Sequence, residues 1–362
     1  MTNRILFLMD LPKPVHGMSN INLAMLDSAR KQKLNPKVIN TVPSYAAKFF
    51  TTKWWGLFKF THSLYCMFSL FLKLLVTKNK IVYRPINGGS GQIYDLVYLL
   101  LCRLFLKKIV IHHHSFNYLN NVSTLFSLLN KIAGNKATHI TLGNSMRDKL
   151  IELYGININN ITVLSNLAFF NSNDDCNVQV NNPIVIGHLA NLCSEKGVDS
   201  FIDVCRALKA KELPFAAKIA GPFATLEAEK LVLSAVNEFS ELEYLGPLYE
   251  KEKVAFYQSL DCFIFPSKYK NEAEPLVLYE AAMWGNLLLG TKRGCMLDVI
   301  NKLNGFSFNE NSELSENLAS TIDQQLISHS FSASAKKERI KTFNLEYINA
   351  LNTLTDIMDE FK

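Results

Sequence analysis

Two glutamates eight residues apart, Glu272 and Glu280, stand in the run Pro266 to Gly285, PSKYKNEAEPLVLYEAAMWG, with Pro275 between them. Just before them, Cys262 to Phe265 is a short continuous apolar run, the pattern of a strand buried on both faces. The residues from Glu274 onward read as a helix start. Glu274 suits the cap, Pro275 the first helical position, and Leu276, Val277, Leu278, Tyr279 and Glu280 continue it. Glu272 is then expected in a loop at the carboxyl end of a strand, and Glu280 on the second turn of the next helix. The N–H groups of the first helical turn face the same crevice, where a phosphate is favoured. Two carboxylates flanking an anion site suit a ligand with both phosphates and hydroxyls, such as a nucleotide sugar. On spacing alone, an acidic helix start stabilised by its dipole is equally open.

Those residues need a scaffold, and the chain supplies a βα rhythm twice over. In the first half, strands fit Ile5–Met9, Pro36–Ile39, Ile81–Tyr83, Lys108–His112, His139–Leu142 and Thr162–Leu164. Helices fit Met18–Lys33, Trp54–Thr77, Gln92–Leu106, Ser123–Ala133 and Ser145–Tyr154. The polar stretch Asn171–Asn182 (NSNDDCNVQVNN), ending at Pro183, is the best linker. Beyond it strands fit Ile184–Leu189, Phe215–Ala220, Leu242–Leu245, Cys262–Phe265, Leu287–Gly290 and Gly305–Phe308, and Leu345–Phe361 is amphipathic and helical. This alternation predicts an α/β protein of two Rossmann-like domains with ligand at the strand ends. The expected boundaries are 1–172 and 183–344, with 345–362 as a C-terminal helix packing back on the first domain. A length of 362 residues agrees with two cores.

Composition narrows the setting. Seven cysteines, an odd number with no CxxC pair, argue for reduced thiols in a cytosol-like compartment and against a zinc ribbon or disulfide framework. The apolar run in NRILFLMDLP ends at Asp10 and reads as a first strand rather than a signal peptide. Residues 1–170 hold 20 Lys/Arg against 5 Asp/Glu, or +15, whereas 171–362 hold 18 against 27, or −9. The first half therefore faces something anionic. Between Ala47 and Lys80, Trp54, Trp55, Phe58, Phe60, Phe68 and Phe71 are mixed with Lys48, Lys53, Lys59, Lys73, Lys78 and Lys80. Lysines and His62 interrupt the run, so it is not a transmembrane span. The mixture suits the headgroup boundary of an anionic membrane; a core helix with a lysine rim is the alternative. No nucleic-acid recognition motif is present.

The loop after the first strand, Pro12-Lys13-Pro14-Val15-His16-Gly17-Met18-Ser19, has one glycine, so a nicotinamide-binding GxGxxG is excluded. With that loop in hand, the chain resembles the family 4 glycosyltransferases, retaining GT-B enzymes that use nucleotide sugars. The resemblance spans nearly the whole chain and is strongest from Ile184 to Gly294. It rests on His16-Gly17-Met18-Ser19, on Ala190-Asn191-Leu192-Cys193-Ser194-Glu195-Lys196-Gly197 against the family's G-R-L-x-x-x-K-G, on Ile219-Ala220-Gly221-Pro222, and on the E-x7-E of Glu272 and Glu280. It implies a GT-B fold, two domains facing across a cleft with the C-terminal helix crossing back. It further implies that Lys196 meets the donor diphosphate, Glu280 the ribose, Glu272 the donor sugar, and the N–H groups of Leu276 and Val277 the phosphates. Gly17 and Gly221 then allow close approach, with no metal or other cofactor.

One position departs from the family. Its diphosphate-binding arginine is Asn191 here, and an amide cannot form the bidentate pair. Lys292 and Arg293 are the compensating cations to consider. His112-His113-His114 ends the fourth strand, where the family often has a histidine facing the sugar. Alternation puts His112 and His114 on one face, so the three cannot share a metal, and that pair is favoured as the catalytic, sugar-contacting one. Arg84, Tyr94 and Asp95, near Gly88-Gly89-Ser90-Gly91, are expected to bind acceptor. The implied activity is transfer from a UDP- or GDP-sugar to a lipid-linked saccharide acceptor in O-antigen or capsule synthesis. Such an enzyme would be cytoplasmic and peripheral on the inner face of the cell membrane. A GT-B nucleotide-sugar epimerase and a non-catalytic glycosyltransferase-like partner subunit are the alternatives.

Overall fold

Strands that are apolar on both faces need helices on both sides, and the computed structural model arranges them so. It describes residues 5–14, 17–76, 80–172 and 178–362. Val15 and His16 of the first glycine loop, Thr77 and Lys78 at the end of the second helix, and residues 173–177 of the linker lie outside the described residues. The chain forms two compact units, residues 1–169 with 350–362, and residues 170–349.

Unit 1 contains β1 (Ile5–Met9), α1 (Gly17–Lys31), β2 (Lys37–Asn40), α2 (Trp55–Val76), β3 (Ile81–Ile86), α3 (Gln92–Leu104), β4 (Lys108–His113), α4 (Thr124–Ala133), β5 (Thr138–Thr141), α5 (Asn144–Tyr154) and β6 (Ile161–Val163). Its six strands pair in parallel in the order β2-β1-β3-β4-β5-β6. β1 and β3 are buried along their full length, which is why they read as unbroken apolar or mixed runs and not as alternation. Ser123 starts α4 by accepting a hydrogen bond from the Phe126 N–H (3.2 Å). Gly155, left-handed at φ 63°, ends α5. Residues 350–362 belong to this unit, with the Phe361 ring 6.4 Å from Phe7 and 6.3 Å from Tyr83.

Unit 2 contains β7 (Ile184–Leu189), α6 (Val198–Ala210), β8 (Phe215–Ala220), α7 (Leu226–Glu238), β9 (Leu242–Tyr244), α8 (Glu250–Gln258), β10 (Cys262–Phe265), α9 (Leu276–Ala282), β11 (Leu287–Thr291), α10 (Met296–Lys302), β12 (Phe306–Phe308), α11 (Leu314–Ile327) and the first part of α12 (Ala333–Glu360). Its parallel sheet runs β12-β11-β10-β7-β8-β9. Strand order therefore reverses between β7 and β10, and a crevice opens at such a point, beyond the carboxyl ends of the strands. Two parallel six-stranded sheets, each layered with helices, make this an α/β fold of two Rossmann-like domains.

All twelve strands fall at or within a few residues of the sequence expectation. The last helix does not: it begins at Ala333, twelve positions before Leu345. Lys336 and Arg339 are buried on its inner face together with Ile340 and Phe343, so charged residues occupy part of the stripe where apolar ones are looked for. The Lys336 ammonium pairs with Asp261 at 2.8 Å and donates to the carbonyls of Gln179 and Leu260, both at 2.7 Å. Arg339 donates to the carbonyls of Gly285 (2.7 Å) and Ser330 (2.9 Å).

Each core also holds a neutral histidine. His139 in unit 1 and His188 in unit 2 are both pushed down to about 4 by burial. His188 lies stacked between Phe201 and Phe265, with Nδ1 on the Ile264 carbonyl at 2.9 Å. An unfolded histidine takes its proton near pH 6.5, so between that value and pH 4 the unfolded chain binds more protons than the folded one. Stability is thus expected to be full above pH 6.5 and to fall as the pH drops from 6.5 towards 4. Chemical unfolding at stepped pH measures this, and His188→Phe should flatten the slope for unit 2.

Candidate functional site

At the strand-order reversal in unit 2, two of the predicted residues, Lys196 and Glu272, meet. After β7 the chain makes a tight turn over Ser194–Lys196, and Gly197 at φ 82° turns it into α6. A Cβ at Gly197 would lie 2.2 Å from the Pro266 carbonyl, so only glycine lets this loop rest on the end of β10. The contact brings Lys196 against the loop after β10. Its Nζ is 2.6 Å from Oε2 of Glu272, and the Tyr269 ring lies 4.8 Å from the same ammonium. Ser267 donates to that carboxylate oxygen at 3.0 Å, while Thr291 holds the Ser267 carbonyl at 2.5 Å. A cation and a carboxylate far apart in sequence thus meet at the mouth of the crevice.

Glu280 is held differently. It lies on α9 and accepts from Lys253 on α8 (2.6 Å, Oε1) and from the buried Tyr257 hydroxyl (2.8 Å, Oε2). The start of α9 differs by one residue from expectation. Pro275 is the cap, with extended backbone at φ −70° and ψ 123°, and Leu276 and Val277 open the helix. Glu274 is not the cap: it is turned inward and accepts from the Tyr279 hydroxyl at 2.5 Å.

A second rim forms where the loops after β7 and β8 zip together. Ala190 N–H donates to Ala220, Leu192 N–H to Pro222, and Ala224 N–H to Leu192. Gly221 takes φ 123°, and a Cβ there would lie 1.8 Å from the Ala190 carbonyl, which explains the glycine. Asn191 is exposed on this rim. Of the two cations considered as its substitutes, Arg293 is paired with Glu310, whereas Lys292 is exposed.

In unit 1, Gly17 is the exposed first residue of α1. His112 and His114 share a face, their ring centroids 4.1 Å apart. His113 points to the other side, where Nδ1 meets the Tyr118 hydroxyl at 2.8 Å and Nε2 meets His139 at 3.0 Å. Burial, with help from the neighbouring histidines, holds His112 and His113 well below the usual imidazole range, so both are neutral. The buried Tyr83 hydroxyl contacts Nδ1 of His112 at 2.5 Å. With the phenol as donor, the ring proton lies on Nε2, a buried atom with no hydrogen-bond partner among the described residues.

Arg84 and Asp95 require a correction. They are 1% and 0% exposed. Asp95 takes two hydrogen bonds from Arg84, at 2.9 and 2.5 Å, while Arg84 also donates to Thr41 (2.8 Å) and to the Leu8 carbonyl (3.1 Å), with Asp10 3.7 Å away. Every guanidinium nitrogen is used inside unit 1. Burial works against the Arg84 charge, but Asp95 and Asp10 outweigh it and raise the pKa. The pair ties β3 to α3 and β1 and does not present itself to an acceptor. Tyr94 is half-buried on α3, with the Lys59 ammonium 5.9 Å from its ring.

Ser267, Tyr269, Lys253, Tyr257 and Tyr83 hold the predicted side chains and were not among the sequence candidates. Ser267 and Tyr269 stand five and three residues before Glu272 and are within reach of a local reading. Tyr257 lies 23 residues before Glu280 and meets it only because the fold brings the two side chains within hydrogen-bonding reach.

Comparison with known proteins agrees with this fold. Residues 170–338, nearly all of unit 2, match the family model for glycosyl transferases group 1. A search of curated proteins finds no match. Among solved structures, HepE of Anabaena in complex with UDP superposes with a TM-score of 0.68 at 15% identity, covering 99% of this chain and 100% of its own. A glycosyltransferase from Rickettsia africae ESF-5 gives 0.70 at 16% identity and 99% of each chain. The lipopolysaccharide outer core galactosyltransferase WaaB gives 0.70 at 15% identity, covering 97% of this chain and 98% of its own. The fold is that of the GT-B glycosyltransferases. The fold and the family match together support a transferase.

Proposed function

We propose that the protein is a retaining family 4 glycosyltransferase that moves a sugar from a UDP- or GDP-sugar to a lipid-linked saccharide acceptor. The observation that carries this is the Lys196–Glu272 pair at the strand-order reversal of the unit matched by the glycosyl transferases group 1 family model. In this reading Lys196 takes the charge that develops on the leaving diphosphate, assisted by the N–H groups of Leu276 and Val277, with no metal needed. Glu272 contacts the donor sugar, and Glu280, steadied by Tyr257, accepts hydrogen bonds from ribose hydroxyls. The acceptor hydroxyl attacks from the face the diphosphate leaves, and the departing phosphate oxygen takes its proton, so no protein nucleophile is required. HepE has been solved with UDP-glucose and WaaB is a lipopolysaccharide galactosyltransferase, which supports a nucleotide-sugar donor and an acceptor of surface-polysaccharide type. O-antigen or capsule synthesis at the cytoplasmic face of the membrane is the corresponding setting.

A thermal-shift screen against UDP, GDP and their sugars tests the donor assignment. A ligand at 100 times its Kd stabilises by about 2.7 kcal/mol, which raises Tm by several degrees. One nucleotide series should do this and the other should not, and Glu280→Ala should remove the shift. A flat response from the wild-type protein to every nucleotide would overturn the proposal.

A further inference from the structure

The exposed side of α2 is its apolar side. Leu57, Phe60, Leu64, Phe68, Phe71 and Leu75 recur at helical spacing and are between 40% and 61% exposed. The opposite side packs on unit 1 through Ser63, Cys66, Leu70 and Leu74. α3 lies beside α2 and extends the surface with Val97, Leu100 and Leu104, all exposed. The Phe71 and Phe105 rings meet edge-on, centroids 5.8 Å apart, where the two stripes join. Two adjacent helices thus present one continuous apolar face, much larger than the scattered exposed residues of an ordinary surface.

Charge decides what covers it. Between Asp27 and Asp95 the chain has eleven Lys/Arg and no carboxylate. Lys48 and Lys53 are exposed just before α2, and Lys59 and Lys73 are half-buried on it, the Lys59 ammonium 5.9 Å from the Tyr94 ring. A second copy docked by the same face would bring lysines against lysines. A bilayer rich in anionic headgroups meets both features, the apolar face below and the lysine rim at the phosphates. Spanning is excluded for α2: among the described residues no helix is long and apolar enough to cross a membrane.

We propose that the α2–α3 face is a monolayer-docking surface that lays both helices in the plane of an anionic leaflet. It deepens the membrane setting of the proposed function by naming the surface, and it is independent of how the donor is bound. Flotation with phosphatidylcholine vesicles, with and without phosphatidylglycerol, tests it. The wild-type protein should float with the anionic vesicles and less with the neutral ones, the more so at low salt. The triple variant Phe60→Ser, Leu64→Gln, Phe68→Ser changes only exposed positions and should lower partitioning by at least about tenfold. Lys48→Gln and Lys53→Gln should each cost roughly fivefold on anionic vesicles alone. Equal recovery of the wild type on both vesicle types, or undiminished flotation of the triple variant, overturns the proposal. So does a dimer in light scattering that the triple variant dissolves, because the face would then be a self-interface. A nucleotide thermal shift on the triple variant separates the two ideas. A shift kept while flotation is lost locates the defect at the membrane face. No shift even in the wild type sinks the donor assignment and leaves docking standing.

Discussion

Replacing Lys196 with alanine is expected to lower sugar transfer by a factor of roughly 10² to 10³ while leaving unit 2 folded. The ammonium is the cation placed at the crevice mouth, and the charge it would stabilise grows as the diphosphate leaves. Loss of such a contact is therefore felt in turnover more than in affinity. Stability should change little. Lys196 is 26% exposed at the side chain and Glu272 11%, so water can reach the carboxylate once the lysine is removed, and Ser267 still donates to Glu272 after the change. Lys196→Arg keeps the charge but alters its shape, and partial recovery is expected. Single-turnover transfer from a radiolabelled donor, beside a melting curve, checks both halves. Turnover within a few-fold of the wild type would remove Lys196 from the site.

Replacing Lys336 with alanine should destabilise unit 2 by roughly 3–5 kcal/mol, because it strands a buried carboxylate. Lys336 and Asp261 are 2% and 0% exposed at the side chain. Asp261 keeps two donors, the Val185 N–H and the Asn181 amide, both at 2.8 Å, but it loses its paired countercharge and is left with only the weaker pull of Arg339. Burial pushes the Lys336 pKa down and Asp261 pulls it partly back, so the pair survives through its own geometry. Pairing Lys336→Met with Asp261→Asn should recover much of the loss, since an amide is cheaper to bury than an unpaired charge. Urea titration of the single and double variants measures the coupling. A loss below about 1 kcal/mol in the single variant would place this bridge with ordinary surface pairs.

These two lysines mark where a reading of the sequence ends. Lys196 was visible because its loop has a recognisable pattern and stands a fixed distance behind an apolar run. Lys336 was not. It takes a core position on α12, so a search for apolar periodicity finds the helix only from Leu345 onward. Arg84 and Asp95, expected beside a glycine-rich loop to bind acceptor, mark the opposite limit: each neutralises the other inside the fold. Nothing in their order along the chain distinguishes a buried pair from a ligand-facing one.

The order of elements followed from the sequence alone, since strands buried on both faces and helices with one apolar side leave strong local patterns. The eight-residue spacing of Glu272 and Glu280 likewise placed one on a loop and the other on a helix. Tertiary structure decided what those carboxylates touch. Lys196 and Glu272 are 76 residues apart and Tyr257 and Glu280 23; the first pair meets where the sheet reverses its strand order between β7 and β10, the second where the fold brings α8 and α9 within hydrogen-bonding reach. Spacing fixes the direction of a side chain within its own element. Its partner belongs to another element, and only packing brings the two together.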